Sequence, residues 1–561
     1  MALTESRTPT DARTAGAPET ATLDGLLGSA DHKTLGRFWI AGGLLCLVGA
    51  LIVSAVAGLE TIDLGSFTVA SDADQFTQIW SLGREVLLFG GLLPILVGLA
   101  TYLVPLQIGA PAIAFARGAA GAFWAWLIGT ALLVVSYIFN GGPGGGRADF
   151  VVLWAVSLGL VILALLWAMV IVATTILGAR TIGMTLDRTP FASWSFLVFC
   201  LYGILTLPLV VADLALTYVR VRHGFVPLDA RQTLVGVTNL FTYAPPLFWL
   251  AIPALGMAAD TIGVHTGRPV MLRKPIMAAI GALSVISYGA VYFSFGSVRS
   301  VDFNNFILVL DIAATALPIL AVLGLAGESI RRGTPRLNVA FIGSLLGGLL
   351  FLLAAVTALL GLFEPVQLWL IDKADTGNPD KLLILNGTTF HDGLRGIVVG
   401  ATVLSITGAL HHWAPKIWGR RMAEPLGYAA VLAAAGGGVL WGLGGVLAGV
   451  DNQPAYPVSS LAGGDNVELY NLIALIGILA VAAGALLTVL SALQASVGAN
   501  TADAGAPAWS GLTLEWATSS PPSPGNFDQP PVVRSATPLA DDVSGAAPAE
   551  TTTGTEAGGE A

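Results

Sequence analysis

Three observations predict an all-α, polytopic membrane protein with twelve transmembrane helices. Hydrophobic residues make up 55% of the 561 and charged residues only 11%. The charges crowd into short segments. The Leu/Val/Ala/Gly runs between them reach the roughly 20 residues a helix needs to cross a bilayer core. In chain order, such runs begin near Phe38, Val86, Gly121, Val151, Ser193 and Val235, and again near Ile276, Phe306, Val339, Gly396, Tyr428 and Leu469.

The loops between the runs are too short for a second folded unit, so residues 32–499 are expected to form one membrane domain. The flanking tails, 1–31 and 500–561, are rich in Ala, Thr, Pro, Gly and Glu, and they carry much of the net charge of −9. Such segments bury too little apolar surface to offset chain entropy, which predicts disorder. The first tail has no apolar region close to its start, so the first span is expected to stay in the membrane rather than act as a cleaved signal. Basic residues set the orientation. With an inside N-terminus, seventeen of the 26 Lys and Arg fall inside and nine outside, which predicts two cytoplasmic termini in a plasma membrane. Cys46 and Cys200 lie in different spans and read as packing residues rather than a metal pair.

Several phrases in this chain are more specific than membrane composition. Leu88 to Arg117 reads LFGGLLPILVGLATYLVPLQIGAPAIAFAR, which resembles the second helix and following turn of haem-copper oxidase subunit I, the cytochrome c oxidase core. The run Arg188-Thr189-Pro190-Phe191-Ala192-Ser193-Trp194-Ser195 is similar to the start of that family's fifth helix. Trp249 to Met257 (WLAIPALGM) is similar to its sixth, and His412-Trp413-Ala414-Pro415-Lys416 to the end of its tenth. The resemblance covers residues 32–497 and implies a twelve-helix arrangement.

It also implies six histidines, because neutral imidazole suits both haem iron and copper. Counted from the matching phrases, those positions hold other residues. The low-spin haem ligand of the second helix falls on Gly83. The haem ligands of the tenth fall on Gly393, for high-spin haem, and Arg395, for low-spin haem. The copper ligands of the sixth and seventh helices fall on Ala244, Ala290 and Val291. The family's acidic and aromatic partners in His-Pro-Glu-Val-Tyr become Pro246 and Phe248. None of these side chains is an ordinary ligand for either metal. The lysine that family members carry within the eighth helix has no counterpart, since Lys33, Lys274, Lys373, Lys381 and Lys416 all fall at or beyond predicted helix ends. The glycine-rich Gly141–Arg147 reads as a turn.

The six histidines present have simpler readings. His32, His223 and His265 are expected in solvated or capping positions, and His411 and His412 at a helix C-terminus, where the dipole favours them. His391 is the one haem candidate. A two-residue slip in the count would make it the axial ligand, and otherwise it is a residue at a helix start. Arg84 and Glu85 adjoin Gly83, so Glu85 is expected either to pair with Arg395, bridging two helices where iron would, or to leave both arginines reaching for headgroups. Asp213, Asp260 and Asp311 read as a polar path or as internally hydrogen-bonded groups.

The resemblance and the substitutions together imply a redox-inactive pseudoenzyme of the respiratory chain, with no catalytic residues of its own. It would serve as a structural or assembly component that contacts the bilayer and other membrane subunits, with no nucleic acid partner. No cofactor is expected, haem at His391 being the exception to test. A haem-binding terminal oxidase or electron-transfer subunit of aerobic respiration, and a transporter using the bundle interior, are the alternatives.

Overall fold

A computed structural model describes residues 28–63, 69–224, 247–270, 272–295, 301–362, 385, 388–451, 453–455, 466–497 and 509–540, with main chain alone for 285–295, 301–314 and 360–362. Twelve long helices follow in order. They are α1 (His32–Glu60), α2 (Ala73–Ile108), α3 (Ala116–Ile138), α4 (Ala148–Gly178), α5 (Phe191–Arg222) and α6 (Phe248–Thr266), then α7 (Arg273–Phe295), α8 (Val301–Arg332), α9 (Val339–Leu362), α10 (Phe390–Trp418), α11 (Glu424–Val450) and α12 (Val467–Val497). Over their described residues, ten of them are long and apolar enough to span a bilayer. The described residues contain no strand ladder, only an isolated bridge between Thr388 and Pro454.

Local chemistry sets the helix ends. The Asp31 carboxylate accepts from the backbone N–H of Thr34 at the start of α1, and Asp72 accepts from Gln75 at 2.8 Å at the start of α2. The first two backbone N–H groups of α5 donate to Asp260, which belongs to α6. Asp260 is therefore an N-cap supplied by a neighbouring helix, not a step on a polar path. The Gln-Ile-Gly-Ala phrase ends α2 because Gly109 adopts a left-handed φ of 73°, which lets Ala110 N–H reach the Pro105 carbonyl at 2.8 Å. Within α2, Val86–Leu92 widens into a π-helical turn. Pro94, two residues on, has no N–H to give to the preceding turn, so the ladder is already interrupted there.

Successive helices pack as neighbours, and α12 returns against α1 to close the bundle. The apolar stretches of α2 and α10 are wholly buried, whereas those of α3 and α12 are 39% buried, so α2 and α10 form the centre. Outer helices present bare Leu, Ile and Val, including Leu45, Ile52, Leu163, Leu205, Leu432 and Leu493. That surface suits acyl chains. Lipid tails are as apolar as leucine, so close backbone approach drives helix association instead. The α10–α11 seam is built this way: a Cβ at Gly400 would lie 2.7 Å from the Gly438 Cα, and one at Gly445 2.6 Å from the Gly393 Cα.

The C-terminal expectation changes. Residues 509–540, whose composition predicts an unordered tail, lie as a strap across the face where α1 begins and α10 ends. Lys33 Nζ donates to the Ser523 and Pro524 carbonyls at 3.1 and 3.0 Å. Lys416 Nζ donates to the Thr518 carbonyl at 2.7 Å. Asn526 donates to the Ala110 carbonyl at 2.8 Å, and Val533 N–H to that of Ile182 at 3.0 Å. Trp509, Leu514, Trp516 and Val533 are buried. Four apolar anchors and paired lysines offset the ordering entropy that the Pro- and Ser-rich remainder could not.

Candidate functional site

The residues at the expected haem positions come from α2 and α10 on the face opposite the strap. Gly83 faces α1: a Cβ there would sit 2.9 Å from Ser54 Oγ and 3.4 Å from its backbone nitrogen. Gly393 faces α11, where a Cβ would meet Val446 N at 2.4 Å and Gly442 O at 2.6 Å. Gly393 is a contact between backbones, and Gly83 is a close approach to the Ser54 hydroxyl. The π turn lies between Pro94 and Gly83 and could displace the count by one residue, but the neighbours are Leu82 and Arg84, which are not ligands either.

Arg395 is 7% exposed and lies over the Trp441 ring at 5.3 Å. Its Nε is 3.7 Å from Asp392 Oδ1. Arg84 donates to the same carboxylate and stacks on Trp80 at 3.7 Å. The expected Glu85–Arg395 pair does not form, and neither arginine reaches out to headgroups, both being buried. Glu85 instead accepts from Trp154 Nε1 on α4 at 3.0 Å. The cause is helical geometry: two residues beyond Gly83, the side chain points roughly 200° away, toward α4 rather than α10.

Arg395, Asp392, Trp80 and Trp441 line a cavity of about 110 Å³, with Ser54, Thr61, Thr389, Gln453 and Asn471 supplying the other polar edges. A cavity of about 150 Å³ takes a single benzene ring. A porphyrin of four pyrrole rings does not fit this cavity, and Gly83 and Gly393 stand at close helix contacts. His391 lies in the first turn of α10, edge-on to Phe390 at 5.6 Å, and is not among the cavity's lining residues. Of the expected copper positions, Ala244 and the side chains of Ala290 and Val291 lie outside the described residues, as does the Asp311 side chain. Among the described residues no three His, Cys, Asp or Glu gather as a metal-ligand group.

On the strap face four histidines are buried, His32 and His265, expected in solvated or capping positions, and His411 and His412, expected at a helix C-terminus and found near the end of α10. His32 is 2% exposed, His265 1%, His411 3% and His412 0%. His265 Nε2 and His412 Nδ1 are 3.1 Å apart, and His265 Nδ1 meets the Asn338 side-chain amide at 3.0 Å. The strap covers them: Trp509 Nε1 donates to the His412 carbonyl at 2.9 Å and its ring stands edge-on to His265. Beside them Ser193 donates to Gln107 at 2.6 Å, and Gln107 donates to Glu515 of the strap at 3.0 Å. Burial pushes the Glu515 carboxyl above its ordinary range, against the opposing effect of the Gln107 hydrogen bond. This network was missed because His265 reads as a loop residue until the strap is known to cover it. The signal was the Trp509, Leu512, Leu514, Trp516 run, which is too apolar for a solvated tail.

Residues 34–374 match the family described as Cytochrome C and Quinol oxidase polypeptide I. The chain belongs to this family. A probable cytochrome c oxidase subunit 1-beta of Nocardia farcinica is 27% identical, over 93% of this chain and 88% of the relative. The cytochrome c oxidase subunit 1 of Bacillus subtilis is 26% identical, over 91% and 82%. A haem-copper terminal oxidase dimer solved by cryo-EM shares the fold, with a TM-score of 0.63 at 13% identity, over 83% of this chain and 84% of that one. The protein is thus an integral membrane, cytochrome c oxidase subunit I-like chain with the expected all-α architecture. The family match ends at residue 374, before α10.

Proposed function

We propose that this chain is a redox-inactive member of the oxidase subunit I family, a structural or assembly component of a respiratory membrane complex. It would sit in a plasma membrane with both termini in the cytoplasm. One observation carries the reading: the expected haem-ligand positions on α2 and α10, low-spin and high-spin alike, are built as protein. Gly83 packs on Ser54, Gly393 packs on the α11 backbone, and the Arg395 guanidinium lies between Asp392 and Trp441. A family member binding haem there would need imidazoles projecting from α2 and α10 and a space for the macrocycle. A scaffold of twelve packed helices retains lateral surfaces suited to other membrane subunits. The relatives' own names, each a subunit 1 of cytochrome c oxidase, support such partners in kind. The basic-residue asymmetry supports the orientation.

The test is affinity purification from native membranes in a mild detergent. The proposal expects other membrane proteins of a respiratory complex to co-purify in fixed ratio, and to be depleted from that complex when this chain is deleted. Recovery of the chain alone, with the complex unaffected by deletion, would refute it.

A further inference from the structure

The cavity at the start of α10 carries a charge arrangement that the scaffold role does not explain. Two buried guanidinium groups, Arg84 and Arg395, converge on the single carboxylate of Asp392. Other carboxylates of this end are committed elsewhere: Glu85 accepts from Trp154, and Glu60 accepts from the backbone N–H groups of Val69 and Ala70. Neither is placed against Arg395, so among the described residues Asp392 is the one carboxylate within 4 Å of its guanidinium. Its Nε and Nη1 atoms are buried without a hydrogen-bond partner, and Asp392 at 3.7 Å is too distant to serve as one. A buried guanidinium with unmet donors is costly, and an intramembrane arginine ordinarily marks a site with a named counterpart.

We propose that this cavity binds a small oxyanion, a carboxylate or phosphate group, held by Arg395 and by the side-chain amide of Gln453. The guanidinium fork matches two oxygens of such a group at once, which an ammonium cannot do. Gln453 lines the same cavity, and its side-chain oxygen is turned to the Thr389 hydroxyl at 3.5 Å, leaving the amide nitrogen as the donor toward the cavity. At about 110 Å³, below the roughly 150 Å³ of a cavity that takes one benzene ring, the space takes a head group of a few heavy atoms. Trp441 lies beneath the guanidinium and walls off one side. Two sources supply this chemistry, a free anion from solution and the head group of a phospholipid, the latter because Gly58 of α1 and Leu475 and Ile478 of α12 form an apolar edge of the same cavity.

The test uses the full chain in phosphatidylcholine nanodiscs, titrated with inorganic phosphate and with acetate at constant ionic strength, and read by calorimetry and tryptophan fluorescence. Native mass spectrometry of protein purified from phosphatidylglycerol-containing membranes forms the second arm. The proposal expects either saturable one-to-one binding of the free anion or one retained anionic phospholipid, and the arm that responds identifies the source. Arg395→Gln should weaken the binding at least tenfold, and Gln453→Leu, which leaves the arginine in place, at least threefold. Arg395→Lys keeps the charge but not the fork and should not restore wild-type affinity. Absence of saturable binding in both arms would overturn the proposal. So would binding that neither Arg395→Gln nor Gln453→Leu alters, which would mark an adventitious ion only.

Discussion

Substituting Gly393 by alanine probes the contact that replaces a haem ligand. The added methyl would sit 2.4 Å from Val446 N, 2.6 Å from Gly442 O and 2.9 Å from the Gly445 carbonyl carbon. All three are backbone atoms that cannot rotate away, so α10 and α11 must separate by roughly 1 Å to restore ordinary contact. Overpacking of this kind costs about 1–3 kcal/mol, and the separation also loosens the dispersion contacts along the glycine seam. Alanine is also a better helix former than glycine by about 1 kcal/mol, which offsets part of the cost. Gly436, on the exposed side of α11, provides the control, because nothing lies within 4 Å of its Cβ position. There the same substitution should stabilise by about 0.5–1 kcal/mol. Reversible denaturation in mixed micelles, followed by tryptophan fluorescence, reads both variants against wild type. The account predicts opposite signs, with Gly393→Ala less stable and Gly436→Ala more stable. A Gly393→Ala protein as stable as Gly436→Ala would mean that the α10–α11 contact is not as close as described, and the argument against an axial ligand at this position would fail.

Asp392→Asn leaves two buried arginines without their shared carboxylate, so it should destabilise by about 3–5 kcal/mol in the same denaturation assay; a change below about 1 kcal/mol would show the arginines to be solvated. The Glu515 carboxyl is raised by burial, so strap docking should be firmest below the ordinary glutamate value of about 4.3 and should weaken as pH rises through the folded-state value. Limited proteolysis within 509–540 should therefore accelerate with pH in wild type and lose that dependence in Glu515→Gln; an unchanged pH profile in the variant would contradict the assignment. A double-mutant cycle with His265→Phe and His412→Phe should give a coupling of about 0.5–1.5 kcal/mol from their hydrogen bond, and strict additivity would count against it.

The twelve helices were legible because bilayer thickness imposes one length scale and each span repeats it. The end of α2 was legible for a similar reason: Gly109 meets a geometric demand that few residues satisfy. That Gly83, Gly393 and Arg395 are not ordinary metal ligands is a matter of residue identity and needs no structure. What those positions do instead was not legible. That Gly83 meets Ser54 and that Glu85 turns to Trp154 depend on helix rotation, and the π turn at Val86–Leu92 leaves no periodic signature. The strap was missed for a different reason. Its Pro, Ser and Thr content reads as disorder, whereas its docking rests on a few anchors, Trp509, Leu514 and Trp516, and on lysines hundreds of residues earlier in the chain. The burial of His265 and His412 beneath the strap was hidden for the same reason.

The central claim is that the chain keeps the oxidase scaffold without its redox centre. A reduced-minus-oxidised spectrum of the purified full-length protein, taken alongside copper and iron analysis, tests it most directly. The account predicts no bis-histidine haem bands and less than stoichiometric iron and copper. Stoichiometric copper, or the spectrum of a low-spin haem, would contradict it. A single haem retained in wild type and lost in His391→Ala would replace it with a one-haem electron carrier.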